Sequence, residues 1–147
     1  LMNDLFQSVN KSNHFKDVKV YYFHNCIYSK LYKTPECENG DWIDTEWMFH
    51  NVGSDYKVII VGDAAMAPEE LYSTTGNYRG PNGGLSGFEW LHLMKRHYKK
   101  VVWMNPKMAP GRAPWREAET AVKEIFPMYK LTVKGLNEAM VKLMANK

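Results

Sequence analysis

The spacing of apolar and polar positions divides the chain into short alternating segments. Leu1, Leu5 and Val9, flanked by Met2 and Phe6, recur at helical spacing and predict the tail of a helix ending near Asn13. "VKVYYFHN" (18–25), rich in β-branched and aromatic residues, predicts a strand. "CIYSKLYK" (26–33) alternates Ile27, Ser29 and Leu31 with Tyr28, Lys30 and Tyr32, the pattern of a half-exposed strand joined to the first by a tight turn. An antiparallel edge hairpin follows. "TPECENGD" (34–41) reads as a polar loop, with Asp44 placed to cap a short helix over 45–51.

The next stretch, "YKVIIVGDAAMAPEEL" (56–71), holds a continuous apolar strand from Lys57 to Val61 that stops on Gly62-Asp63. Such a run suits a parallel strand covered on both faces. Pro68 and the two acids after it start a helix of their own, so Asp63 is not needed as its cap. "STTGNYRGPNGGLSG" (73–87) is a glycine-rich loop; Leu85, Phe88, Leu91, Met94 and Tyr98 then mark one side of a helix to about Lys99. "KVVWMNP" (100–106) is a second buried strand and "MYKLTV" (128–133) a third. Ala118, Ala121, Val122, Ile125 and Phe126 mark one amphipathic helix, and Leu136, Ala139, Met140, Leu143 and Met144 another. This alternation predicts a single α/β domain with a doubly wound sheet.

Composition leaves that picture intact and removes several alternatives. The 147 residues are 45% hydrophobic and 24% charged, enough to build one globular core. A net charge of +3, with the densest cluster at Lys95, Arg96, Lys99 and Lys100 on a helix end, describes a solvated terminus better than a nucleic-acid surface. Cys26 and Cys37 are too few for a disulfide scaffold or a four-ligand zinc site, and a reduced, cytoplasmic setting is expected. No apolar run approaches the roughly 20 residues that span a bilayer. The sequence begins at Leu1, so an upstream segment is expected.

In doubly wound sheets ligands sit beyond the carboxyl ends of the strands, where Asp63 falls. A carboxylate there suits a hard cation, a substrate donor or a local cap. His24 and Cys26 form a weak nucleophile pair, since they share a face only if the strand runs unbroken through the turn, and no orienting acid lies near. Glu89, His92 and Arg96 read as a solvated helix face. The glycines at 76, 80, 83, 84 and 87 match neither phosphate-loop nor dinucleotide spacing. Tyr72, Tyr78 and Trp115 are expected at a partner surface; Trp42 and Trp47 are expected in the core.

"YYFHNCIYSKLYK", "KVIIVGDAAMAPEEL", "VVWMNP" and "MYKLTVKGLNEAM", in order and reaching from about Phe15 to Met144, resemble the von Willebrand factor A (VWA) domain of bacterial CoxE-like proteins. The resemblance implies a three-layer Rossmann-like sandwich, mostly parallel, with one antiparallel edge hairpin. It also implies a metal-ion-dependent adhesion site holding Mg²⁺ or another divalent cation. Asp63 is similar to that site's aspartate, and Thr45, before "EWMFHNV", to its threonine. The D-x-S-x-S ligands and the first central strand that carries them have no counterpart in this sequence. Without that strand a gap of about 9.6 Å, two strand spacings, would lie between 18–24 and 57–61. Three outcomes are expected: direct re-pairing, a strand donated by another chain (exchange with a second copy included), or a strand from upstream.

By the same resemblance the chain is a non-enzymatic adaptor or assembly factor. It would work with a MoxR-type AAA+ ATPase on a client protein in metalloenzyme maturation, with weak or no Mg²⁺ binding of its own. The competing reading is a small metal-dependent hydrolase or phosphotransfer enzyme using Asp63. It lacks a convincing second acid or base, because Glu69 and Glu70 belong to the following helix.

Overall fold

The most apolar strand sits at the centre. In a computed structural model that describes residues 17–38, 40–73, 84–107 and 116–145, "KVVWMN" is buried from Val101 to Asn105. It forms the middle strand of a three-stranded parallel sheet. With strands numbered in chain order, β1 is Lys30–Tyr32, β2 Trp42–Asp44, β3 Lys57–Val61, β4 Lys100–Asn105 and β5 Met128–Lys130. The parallel sheet runs β3-β4-β5, with Ile60 opposite Trp103 and Met104 opposite Tyr129. β1 and β2 make a separate antiparallel pair, Leu31 opposite Ile43. The helices are α1 (Thr45–Asn51), α2 (Pro68–Tyr72), α3 (Gly87–His97), α4 (Arg116–Ile125) and α5 (Val133–Met144). The fold is mixed α/β.

Alternate residues of the parallel strands feed two apolar clusters, as strand geometry dictates. Val58, Ile60, Val101 and Trp103 pack with Met48 of α1, Leu91 and Met94 of α3, and Val122 and Ile125 of α4. Ile59, Val61, Val102 and Met104 pack instead with Leu136, Ala139 and Leu143 of α5. Local chemistry fixes the helix ends. The Ser86 hydroxyl accepts from the Glu89 amide at 3.2 Å while the Glu89 carboxylate accepts from the Ser86 amide at 3.1 Å, a full capping box. Thr132 Oγ1 accepts from the Gly135 amide at 3.0 Å and starts α5. Among the described residues no helix is long and apolar enough to cross a membrane.

Several sequence expectations need correction. The segment 18–24 is extended but forms no regular strand. It is held by a Tyr22–Tyr32 bridge and a His24–Cys26 bridge. Asn25, at φ 64°, turns the chain so tightly that the Cys26 amide donates to the His24 carbonyl at 2.7 Å. β1 therefore shortens to three residues and finds its regular partner in β2, just after the stretch read as a polar loop. Asp44 occupies the cap position of α1, yet its side chain makes no capping bond. Trp47 is 49% exposed, not core. Trp42 is half-buried, with the Lys30 ammonium 3.5 Å above its ring. The strand expected over 128–133 stops at Lys130, because Thr132 caps α5 and Val133 already belongs to that helix. The N-terminal helix to Asn13, the loop residues 74–83 with Tyr78, and Trp115 lie outside the described residues.

Candidate functional site

β3 and β4 end together, and a single amide side chain ties the ends. The Gly62 amide donates to the Met104 carbonyl at 3.1 Å, and the Trp103 indole Nε1 donates to the Gly62 carbonyl at 2.7 Å. A Cβ at position 62 would stand 3.0 Å from that indole, so glycine lets the ring close over the strand exit. Asp63 follows, half-buried at the carboxyl end of the sheet. Its carbonyl accepts from Asn105 Nδ2 at 3.0 Å, and its carboxylate Oδ1 accepts from the Ala65 amide at 3.0 Å across Ala64, which adopts φ 53°. Asn105 is 1% exposed and also accepts the Lys107 amide at 2.8 Å through Oδ1. Its role was missed in the sequence, although a lone amide closing an apolar strand just before Pro106 was the available signal.

Thr45 lies elsewhere in the bonding network. It is fully buried at the start of α1, where its hydroxyl donates to the Tyr28 carbonyl at 2.6 Å and its amide to the Ser29 carbonyl at 2.8 Å. No hydrogen bond joins Thr45 to Asp63. Mg²⁺ requires near-octahedral oxygen coordination. One carboxylate and one hydroxyl already committed to a carbonyl do not fit that demand, and among the described residues no three His, Cys, Asp or Glu side chains cluster. These residues alone do not make a Mg²⁺ centre.

The two members of the Cys26–His24 pair differ in burial. Cys26 is buried against α3, close enough that a Cβ on Gly87 would be 2.6 Å from its sulfur. Burial pushes its thiol up to about 12, whereas a nucleophile needs the thiolate. His24 is exposed. His92 meets the Phe88 ring edge-on, centroids 4.5 Å apart, and Glu89 is spent on the cap.

A slot lies beside β3. An apolar cavity of about 340 Å³ is bounded on one side by residues 17–23 and on the other by 56–61. Met48, Val52, Met94 and Tyr98 line it from the α1 and α3 side, and Leu143 from α5. At one end the Tyr56 hydroxyl donates to Asp17 Oδ2 at 2.8 Å. At the other, Phe23 reaches the Gly62 exit, its Cζ 3.3 Å from where a Cβ on Gly62 would be. The two walls therefore run in the same direction. Direct re-pairing of these segments, one of the three expected outcomes, is not what the chain does.

The backbone edge facing this slot follows from the ladder. Gly62 donates toward β4, and in a strand consecutive residues send both backbone polar groups to opposite sides. Val58 and Ile60 thus bond to β4, while Lys57, Ile59 and Val61 present N–H and C=O groups to the slot. Among the described residues no strand pairs with that edge.

Compared with protein-family models, with curated proteins and with solved structures, the chain finds no match.

Proposed function

We propose that this chain is a non-enzymatic protein-interaction module of the VWA type, a three-layer sandwich whose sheet has an open lane between residues 17–23 and β3. The observation that carries this reading is an apolar strand offering free backbone groups to an apolar slot, which is a surface for recognition and not for chemistry. The order of the parallel strands, Asp63 at the carboxyl end of β3, and the two apolar clusters on opposite sheet faces support the VWA comparison. On the four-segment resemblance, the module is a cytoplasmic adaptor that a MoxR-type AAA+ ATPase uses to reach a client metalloenzyme. Mg²⁺ enters this reading only as an ion whose main ligands come from outside this sequence, with Asp63 the one acidic side chain contributed here.

The test mixes the purified chain with the MoxR-type ATPase of the same source and ATP, followed by light scattering on a sizing column and by phosphate release. A stoichiometric complex with an altered ATPase rate is expected. No complex, or turnover of phosphate esters by the chain alone in millimolar Mg²⁺, would overturn it.

A further inference from the structure

We infer that the rim where the parallel sheet begins is a docking surface for an acidic segment of a partner polypeptide, recognised by Lys57, Lys95, Arg96 and Lys99. This rests on the reading of the chain as an interaction module, though not on the choice of ATPase. The sequence shows only the cluster over 95–100, and the fold adds Lys57 to it. β3 and β4 are aligned so that Lys57 stands opposite Lys100. Both share the face of Ile59 and Val102, two positions on, and so reach the rim from the α5 side. Lys95 and Arg96 reach it from the last turn of α3.

The turns that carry these residues are tied together. The Lys99 amide donates to the Ser54 carbonyl at 3.2 Å, and the Tyr98 hydroxyl to the Val52 carbonyl at 3.1 Å. The cations are therefore held on one surface, which lowers the entropy lost on binding. Residues 53–57 and 95–100 hold five cations and one acid, Asp55, a surplus of four in a chain whose net charge is +3. Lys57, Lys95, Arg96 and Lys99 are exposed and make no ion pair among the described residues. Nearby Asp17 is engaged by the Lys19 ammonium at 3.3 Å and by the Tyr56 hydroxyl at 2.8 Å. Outside the described residues the sequence holds a single acid, Asp4, too little to neutralise the rim. The α3 macrodipole accounts for cations in its last turn, but its effect ends there and leaves Lys57 and Lys99 without a structural reason.

A carboxylate-bearing segment fits this surface better than a nucleic acid. Among the described residues the rings at the rim are turned inward: Tyr98 is buried, His97 lies against Phe49 with centroids 5.0 Å apart, and Tyr56 is held by Asp17. None is offered for the base stacking that holds single strands.

The probe is a fluorescein-labelled peptide, Gly-Asp-Glu-Asp-Glu-Asp-Gly, titrated with the full chain and read by anisotropy and by backbone amide NMR shifts. Saturable binding is expected, weakening steeply as salt rises from about 0.05 to about 0.5 M, with shifts gathered at Ser54, Lys57 and residues 95–99. Lys57→Gln/Lys99→Gln should weaken binding about tenfold or more. Lys130→Gln/Lys134→Gln removes the same charge at the opposite end of the sheet and should change binding less than about twofold. The shift pattern in the unmodified chain decides the matter if a variant misfolds.

Absence of binding, equal losses in the two double variants, or shifts away from the rim overturn the inference. So does a single-stranded oligonucleotide of equal charge that binds as tightly as the peptide, and so does dimerisation by sedimentation that Lys57→Gln/Lys99→Gln abolishes. If the ATPase complex forms while the peptide fails, the docking surface falls and the module reading stands. Peptide binding without that complex keeps the surface and removes the ATPase. Failure of both removes both.

Discussion

Asn105→Ala should cost about 2–3 kcal/mol of stability, chiefly through its hydrogen bonds. The side chain makes two close bonds that nothing else replaces, to the Asp63 carbonyl at 3.0 Å and from the Lys107 amide at 2.8 Å, and Nδ2 makes a longer one to Met128 Sδ at 3.6 Å. Each is worth roughly 1 kcal/mol net, and a partner left unsatisfied in the interior adds about 1–3 kcal/mol. Lys107 is exposed and Asp63 half-buried, so water reaches both orphaned groups and the penalty stays at the low end. The void left by the amide supplies the remainder. For a chain of this size the loss corresponds to a fall in Tm of about 6–9 °C. Urea denaturation should show the midpoint moving down by about 1 M with an unchanged slope, the signature of altered stability rather than altered compactness. Asn105→Asp separates bonding from shape. It keeps the acceptor for Lys107 but turns a carboxylate oxygen toward the Asp63 carbonyl, so near neutral pH it should be at least as unstable as the alanine variant. A loss below about 0.5 kcal/mol for Asn105→Ala, or a stable Asn105→Asp, would show that Asn105 does not hold the two strand ends together.

Two further changes probe the packing. In Gly135→Ala the new methyl would stand 1.9 Å from the Lys130 carbonyl oxygen, so the start of α5 must shift, at a cost on the order of 3 kcal/mol. A thermal melt within a degree or two of the parent would refute that contact. The cysteines should divide in native protein, with Cys37 reacting with Ellman's reagent and Cys26 silent until unfolding. Because burial raises the Cys26 thiol from 9.0 to about 12, the unfolded chain loses that proton first. Its contribution is whole below pH 9 and fades between pH 9 and 12, by up to roughly 1.4 kcal/mol per pH. Tyr98, raised from 10.0 to about 12 by burial, steepens the decline. Alkaline melts of Cys26→Ala should be shallower; an unchanged slope would contradict the burial.

Half of the architecture was readable because periodicity and burial agree there. The runs around Val102, Val122 and Leu136 are sheltered, so apolar patterning translates directly into β4, α4 and α5. The N-terminal part misled for a local reason. Asn25 in the left-handed region breaks what β-branched and aromatic content presents as a continuous hairpin, and the three residues of β2 are too short to produce alternation. The position of Asp63 was readable because the end of a parallel strand is a place that sequence can locate. The engagement of Thr45 with Tyr28, and of Asn105 with Asp63, depends on residues 17 and 42 positions away and leaves no local pattern.

The deepest disagreement lies in β3. Its sequence is that of a central strand, four branched apolar residues in succession, yet among the described residues it is an edge, with only Ile60 of the five fully buried. Edge strands are ordinarily blunted by inward charges, proline or a bulge, because an apolar free edge pairs with whatever strand arrives. Here the single charge, Lys57, stands at the first position, and nothing along Val58 to Val61 obstructs pairing. Across the slot, residues 17–23 run alongside β3 instead of closing onto it. A sequence written for the middle of a sheet and held open at its border is a conflict between local and global preference of the kind that marks functional sites. A further strand on that side would resolve the conflict with the chain's own chemistry, since it would take Ile59 and Val61 from half-buried to the interior their sequence already describes.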